Sequence, residues 1–215
     1  LKVRNIRRDP RVSLCVLADG FYGSWVQLDG TAAILSLPEA MEPLVKPGDM
    51  ARICRPVDFI GINHYSPLYC RADAQSPLGY GFGSAPEGTP VTPIGWPIAP
   101  AAFTATLVET SARYRLPIYV TENGLGAHDK IDAAGNVNDY ERVAYLDAYV
   151  AAMRDAIAAG ADVRGYFVWS LVDNFEWGAG YQSRFGLVHI DYETLKRTPK
   201  KSFHRLADTI RAAKA

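Results

Sequence analysis

No apolar run in this chain approaches the ~20 consecutive residues that a membrane span needs, so nothing in it reads as membrane-embedded. Charge of one sign is missing too. The 23 Lys and Arg residues are matched by 23 Asp and Glu, which excludes a general attraction to nucleic acid or to an anionic membrane surface. Cysteine is scarce. Cys15, Cys54 and Cys70 are odd in number and unrelated in spacing, which suits small buried or half-buried thiols in a reducing, cytoplasmic compartment better than a disulfide. His64, His128, His189 and His204 show no metal-ligand spacing, so no metal site is expected. There is no Gly-x-Ser-x-Gly elbow, and Gly79-Tyr80-Gly81-Phe82-Gly83 lacks the Lys and Ser/Thr of a phosphate loop. The start, Leu1-Lys2-Val3-Arg4-Asn5, has neither an initiator Met nor a signal-peptide pattern and reads like the middle of something longer.

What is present is the composition of a globular protein: 48% of the 215 residues are hydrophobic, enough to bury a core. Two unlike pieces follow each other. Residues 1–45 carry short β-like signals. A basic stretch from Lys2 to Arg8 has helical or turn character, and Arg11 to Leu17 alternates as a half-buried strand does. Asp19-Gly20 and Asp29-Gly30 read as turns around strands at Tyr22–Leu28 and Thr31–Leu35, and Ser36-Leu37-Pro38-Glu39 reads as a helix start.

From residue 46 on the grammar changes. Compact apolar strands end in polar residues: Val57–Ile62 before Asn63-His64-Tyr65, Leu116–Val120 before Thr121-Glu122-Asn123-Gly124, and Gly165–Val168 before Trp169-Ser170. Such near-continuous apolar runs predict a parallel sheet buried on both faces. Helices are expected between them, at Ala101–Tyr114 and about Asp139–Ala159. In the second, Val143, Leu146, Val150, Met153 and Ile157 recur at helical spacing, with an Asn138/Glu141 capping box and Gly160 at the end. A last helix is expected from Lys201 to Ala213, and the Gly- and Pro-rich stretch from Gln75 to Pro100 is long enough to be a functional loop. Strand, helix, strand in this order implies an α/β layer or a (β/α)8 barrel.

In such a barrel the active site is built from the carboxyl ends of the strands. Here those ends carry Glu122, several hydrogen-bonding side chains and Trp169, with Asp173-Asn174-Phe175-Glu176-Trp177 adding a second carboxylate and a second indole. Sugar rings stack on aromatic faces and their hydroxyls need polar partners, so this rim suits a carbohydrate better than a phosphate or a nucleotide.

These motifs carry a resemblance. Thr121-Glu122-Asn123-Gly124 resembles the nucleophile motif of glycoside hydrolase family 1, and Asp58 to Tyr65 is similar to that family's sixth strand. Phe167 to Trp177 is similar to its eighth strand and following loop, and Arg184-Phe185-Gly186-Leu187 to the segment after it. Gly95-Trp96 with Pro100 resembles the entry to the helix before the nucleophile strand. The resemblance runs from about residue 47 to 212. It implies a retaining β-glycosidase of β-glucosidase type on the C-terminal portion of a (β/α)8 barrel, strands six to eight. Glu122 would be the nucleophile and Tyr65 its hydrogen-bond partner. Asn63 would sit near the 2-hydroxyl and Trp169 under the ring. Glu176 would accept from the 4- and 6-hydroxyls, Trp177 would contact the 3-hydroxyl, and Trp96 and Phe185 would line the site. It implies a small carbohydrate substrate, a β-glucoside or β-galactoside, with no metal and no organic cofactor.

The same resemblance marks a departure. A retaining glycosidase needs a second carboxyl group, the acid/base, about 5–5.5 Å from the first. The family's Thr-(Phe/Leu/Ile)-Asn-Glu-Pro motif for it does not occur in this sequence, and Glu87, Glu109 and Glu141 fall in a loop or on helices. Three strands without the other five would also leave open parallel edges, through which self-association is expected. Residues 1–41, with Lys2 to Leu14 and Gly30, resemble instead a split-barrel fragment of the flavin- or deazaflavin-binding proteins related to pyridoxamine 5′-phosphate oxidase, with a join near Glu42 to Lys46. Two other functions therefore stay open at this point: a flavin-binding split-barrel protein, and a non-catalytic carbohydrate-binding or assembly module.

Overall fold

The computed structural model describes residues 7–17, 25–33 and 45–214, and the chain divides into two units, Leu1–Pro56 and Val57–Ala215. In the first unit β1 (Arg11–Leu17) and β2 (Trp25–Thr31) form an antiparallel pair, in register from Arg11 opposite Thr31 to Leu17 opposite Trp25. That register corrects the reading of Asp29-Gly30 as a turn: both lie inside β2, opposite Ser13 and Val12. Of the strand expected at Thr31–Leu35, Thr31 ends β2, Ala32 and Ala33 are irregular, and Ile34 and Leu35 lie outside the described residues. Arg7 and Arg8 are helical, while Asp19-Gly20 and Ser36 to Glu39 lie outside the described residues. A one-turn helix, α1 (Asp49–Ile53), buries none of its residues.

The second unit is a three-stranded parallel sheet backed by helices. β3 (Ile60–Asn63), β6 (Ile118–Asn123) and β7 (Val163–Val168) lie in the order β3-β6-β7. Between β3 and β6 come a small hairpin of β4 (Cys70–Ala72) with β5 (Tyr80–Phe82), and α2 (Pro100–Tyr114). The hairpin occupies part of the stretch read as one long loop. α3 (Tyr140–Ala158) joins β6 to β7, and a short pair, β8 (Val188–Ile190) with β9 (Arg197–Pro199), precedes α4 (Lys201–Lys214). Pro100 opens α2, where its missing N–H costs nothing, and Gly160 just past α3 takes φ 97°, the left-handed turn glycine allows.

Burial is uneven across the sheet, which corrects the expectation of two covered faces. Central β6 has a partner on each side, and Ile118 and Val120 are fully buried with Phe103 and Leu107 of α2. Among the described residues β3 and β7 each keep one unpaired edge, and Phe59 beside β3 and Phe167 in β7 are 51% and 57% exposed.

α3 is also turned from its expected orientation. The buried residues are Arg142, Tyr145, Leu146, Tyr149, Ala152 and Ala156, while Ile157 is exposed. Polar-tipped side chains win the inner face because partners wait there: the Tyr145 and Tyr149 hydroxyls donate to the Tyr65 carbonyl at 3.2 and 3.3 Å. Val150, Met153 and Ile157 line instead an outer groove of about 490 Å³ with Phe167, Leu206 and Ile210. The Asn138/Glu141 capping box does not form either. Asn138 donates to Asp132, and the N-cap Asp139 gives its carboxylate to Arg142 and Ser202. Cys54 and Cys70 are exposed thiols rather than buried ones, since neither α1 nor the β4–β5 hairpin has a core to enter.

Candidate active site

The parallel ladder brings the ends of β3, β6 and β7 to one rim, where most of the expected site residues meet. Glu122 stands in β6 and is half-buried. The Tyr65 hydroxyl, just past β3, donates to its Oε2 at 2.6 Å. Burial, that donation, and the charges of Glu122 and Glu176 all push the Tyr65 phenol well above its ordinary range. It therefore stays a proton donor at any working pH and holds Oε2 of the Glu122 carboxylate.

The main chain reinforces this pairing. The His64 amide donates to the Glu122 carbonyl at 2.9 Å, and the Thr121 hydroxyl donates to Asn63 Oδ1 at 2.7 Å. The His64 ring packs on Phe103, Nε2 has no partner among the described residues, and burial lowers its pKa.

Asn123 is fully buried and uses both ends of its amide. Nδ2 donates to the His64 carbonyl at 2.7 Å and to the Tyr145 hydroxyl at 3.0 Å, while Oδ1 accepts from Tyr166 at 2.6 Å. One side chain thus pins β3, α3 and β7 to β6. Gly124 has an equally specific reason: a Cβ there would sit 1.9 Å from the Trp169 carbonyl oxygen.

Across the rim, Trp169 leaves β7, joined to Ser170 by a cis peptide bond, and its indole N–H donates to Glu176 Oε1 at 3.0 Å. The aromatic platform and the second carboxylate are therefore one unit. Trp177 begins a 3-10 turn (Trp177–Ala179) with φ 44° and is 84% exposed. The rings of Tyr65, Trp96 and Phe185 pack together at centroid distances of 5.4, 5.9 and 6.0 Å, so Trp96 and Phe185 flank the tyrosine that holds Glu122.

Beneath the rim lies a network that the sequence reading missed. Asp129, Asp139 and Asp173 face Arg142, Arg184 and Lys200, three anions against three cations. Lys200 Nζ reaches Asp129 at 2.6 Å and Asp173 at 2.7 Å, Arg184 reaches Asp173 at 2.7 Å, and Arg142 pairs with Asp129 at 2.8 Å and with Asp139. Burial alone would raise the Asp129 carboxyl, but Arg142 and Lys200 beside it prevail and hold it below the usual range. The Lys200 ammonium moves down, chiefly through burial and the nearby Arg142. Arg142 in the middle of a tyrosine- and leucine-bearing helix face was the visible hint, since a cation there needs buried anions. Among the described residues no group of three His, Cys, Asp or Glu is disposed to hold a metal ion.

A carboxylate gripped by a tyrosine at a strand end thus shares a rim with an indole-backed carboxylate on a parallel α/β sheet. Comparison with known proteins then gives the family. Beta-glucosidase A of Thermotoga maritima is 38% identical over 164 residues, 76% of this chain and 36% of that protein. The bifunctional beta-D-glucosidase/beta-D-fucosidase of Bifidobacterium breve is 40% identical over 172 residues, 73% of this chain and 37% of that relative. The solved family 1 b-glucosidase from Thermotoga maritima superposes with a TM-score of 0.72 at 37% identity, over 76% of this chain and 37% of that one. The profile of Glycosyl hydrolase family 1 matches residues 20–215, and the chain belongs to that family. It spans little more than a third of the length of these relatives. The match begins inside the stretch read as a split-barrel fragment and runs through the expected join, and the flavin-protein resemblance is not supported.

Proposed function

We propose that the rim of β3, β6 and β7 is the glycone half of a retaining β-glycosidase site acting on β-glucosides and β-galactosides. Glu122 attacks the anomeric carbon and Tyr65 keeps its carboxylate aimed. The observation that carries this reading is the 2.6 Å hydrogen bond from Tyr65 to Glu122 at the ends of neighbouring parallel strands. Trp169 is the floor under the sugar, with its indole N–H holding Glu176 ready to accept from the 4- and 6-hydroxyls. Asn63 stands by the 2-hydroxyl, Trp177 reaches the 3-hydroxyl, and Trp96 and Phe185 line the site beside Tyr65. The chemistry needs neither metal nor organic cofactor.

These 215 residues hold no acid/base motif, so proton delivery to the leaving oxygen has no donor from the sequence in hand. General-acid assistance is typically worth about 10²–10⁴-fold, and the residues by themselves should hydrolyse an alkyl glucoside poorly by that factor. A 2-deoxy-2-fluoro-β-glucoside with a dinitrophenyl leaving group needs no such help, because that phenolate departs unprotonated. Incubation followed by intact mass should show one fluoroglucosyl adduct, absent in Glu122→Gln. Labelling that persists in Glu122→Gln, or no labelling of a folded chain, would sink the assignment.

A further inference from the structure

We infer that Lys200 is a positioning residue of the site, its ammonium fixing the nucleophile strand and the recognition loop to one frame. The inference rests on the glycosidase reading for what the loop recognises, but the geometry stands without it. Lys200 is fully buried, directly before α4, and its backbone amide is held by the Leu187 carbonyl at 2.9 Å. From there Nζ spans two segments that share no strand. Asp129 belongs to the run that leaves β6 past Glu122. Asp173 stands at the root of the loop that carries Glu176 and lies four residues past Trp169.

Asp173 is saturated. Its Oδ1 takes Lys200 at 2.7 Å and the Gly186 amide at 3.0 Å, and its Oδ2 takes Arg184 at 2.7 Å and the Ile190 amide at 3.3 Å. The loop is therefore closed at both ends on one carboxylate. Its far end also meets the nucleophile segment directly, since Ala127 and Arg184 exchange backbone hydrogen bonds at 3.0 and 2.9 Å. The tip around Glu176 is held by the Glu176 amide on the Gly180 carbonyl at 2.7 Å, by the Trp169 indole, and by the Tyr192 hydroxyl donating to the Asn174 carbonyl at 3.3 Å.

Taking away the Lys200 charge leaves three buried carboxylates against two guanidinium groups, and sets Asp129 and Asp173 against each other. An uncompensated buried anion does not stay in place; it seeks water or another partner. The segment that yields is the loop, because Asp129 keeps the fully buried Arg142, while the cation left to Asp173 beside its two backbone amides is the more exposed Arg184. Glu176 and Trp169 would then lose their placement relative to Glu122, with the sheet intact.

The test uses Lys200→Met, Lys200→Arg as the conservative rescue, and Arg184→Lys as a milder break should Lys200→Met fail to fold. The first readout is the indole N–H resonance of Trp169 in a ¹⁵N-labelled sample. It should shift or broaden in Lys200→Met and Arg184→Lys and return toward its original position in Lys200→Arg, while the amides of Ile118 and Val120 hold still. The second is saturation of labelling by the fluoroglucoside and its 6-deoxy counterpart. The half-saturation concentration for the glucoside should rise on the order of 10²-fold in Lys200→Met, the scale of an ångström-sized misplacement, with little change in the labelling rate at saturation. The preference for the sugar bearing a 6-hydroxyl should collapse. An unmoved indole resonance in a folded Lys200→Met or Arg184→Lys chain overturns the proposal, as does a retained 6-hydroxyl preference. A parent chain that takes no label refutes the Glu122 assignment instead, and the indole resonance then decides this one.

Discussion

The carboxyl rim of the sheet and its two flanks are built on opposite terms. At the rim, Tyr65, Asn123, Trp169, Glu176 and Asp173 are tied into hydrogen bonds whose partners all lie between residues 57 and 215. Along the flanks the same sheet shows water the rings of Phe59 and Phe167 and the edges of β3 and β7 left unpaired among the described residues. The difference teaches that the hydrogen bonds around Glu122 are made among residues of the second unit itself. Their order comes from buried polar groups that satisfy one another, whereas the flanks keep apolar surface that only further protein would cover.

The sharpest way to break this contrast is Gly124→Ala. The new methyl carbon would need the space 1.9 Å from the Trp169 carbonyl oxygen, so β6 or β7 must move. The expected loss is about 3 kcal/mol in urea denaturation, against less than about 0.5 kcal/mol for Gly178→Ala, where a Cβ meets nothing within 4 Å. Equal losses at the two glycines would show that the rim is no tighter than the surface.

Next comes the flank. Exposed apolar strands should drive self-association, read as a light-scattering mass that climbs with concentration. Phe59→Thr with Phe167→Thr should lower that mass toward the monomer value with under about 0.5 kcal/mol change in stability. A mass indifferent to both substitutions would place the sticky surface elsewhere.

The smallest effect is one of pH. His189 is buried beside the ion network, and burial, then Arg184 and Lys200, lower its pKa against the opposing pull of Asp173 and Asp129. The unfolded chain thus takes up the proton more readily than the folded one. The stability His189 contributes is complete above its unfolded pKa of about 6.5 and is lost as pH falls from there through the lower folded value. The urea midpoint should drop between pH 7.5 and 5.5, and drop less in His189→Gln. An equal drop in both proteins would assign the effect to other groups, His64 first among them.

The places of Tyr65, Glu122 and Trp169 on the rim were legible in the chain because strand ends are marked locally: an apolar run stops and polar letters begin. The three parallel strands and α2, α3 and α4 were legible for the same reason, to within a few residues, whereas the short strands β4, β5, β8 and β9 were not. What escaped was settled by partners distant in sequence. α3 turned away from its aliphatic stripe because Tyr65, Asp129 and Asn123 wait on its other side for Tyr149, Arg142 and Tyr145. Lys200 looked like one more cation at a helix start, and only its two aspartates, 71 and 27 residues back, reveal its position. Asp29-Gly30 carries every local sign of a turn, yet pairing with β1 keeps it in a strand.

Asn123 followed by Gly124 has a chemical consequence as well as a structural one. It is the chain's single Asn-Gly step, the pair at which polypeptides age fastest, because the unhindered glycine amide nitrogen can attack the side-chain carbonyl and expel ammonia. In the folded protein that carbonyl is held by Tyr166 and the amide nitrogen by His64 and Tyr145, and the backbone has no freedom to close the ring. Unfolded, the step is unprotected. Each hour spent denatured would convert some molecules to aspartate or isoaspartate at 123, with a carboxylate oxygen now facing the His64 carbonyl. Those molecules could not rebuild the rim, so the fold acts as the preservative of its own most fragile bond.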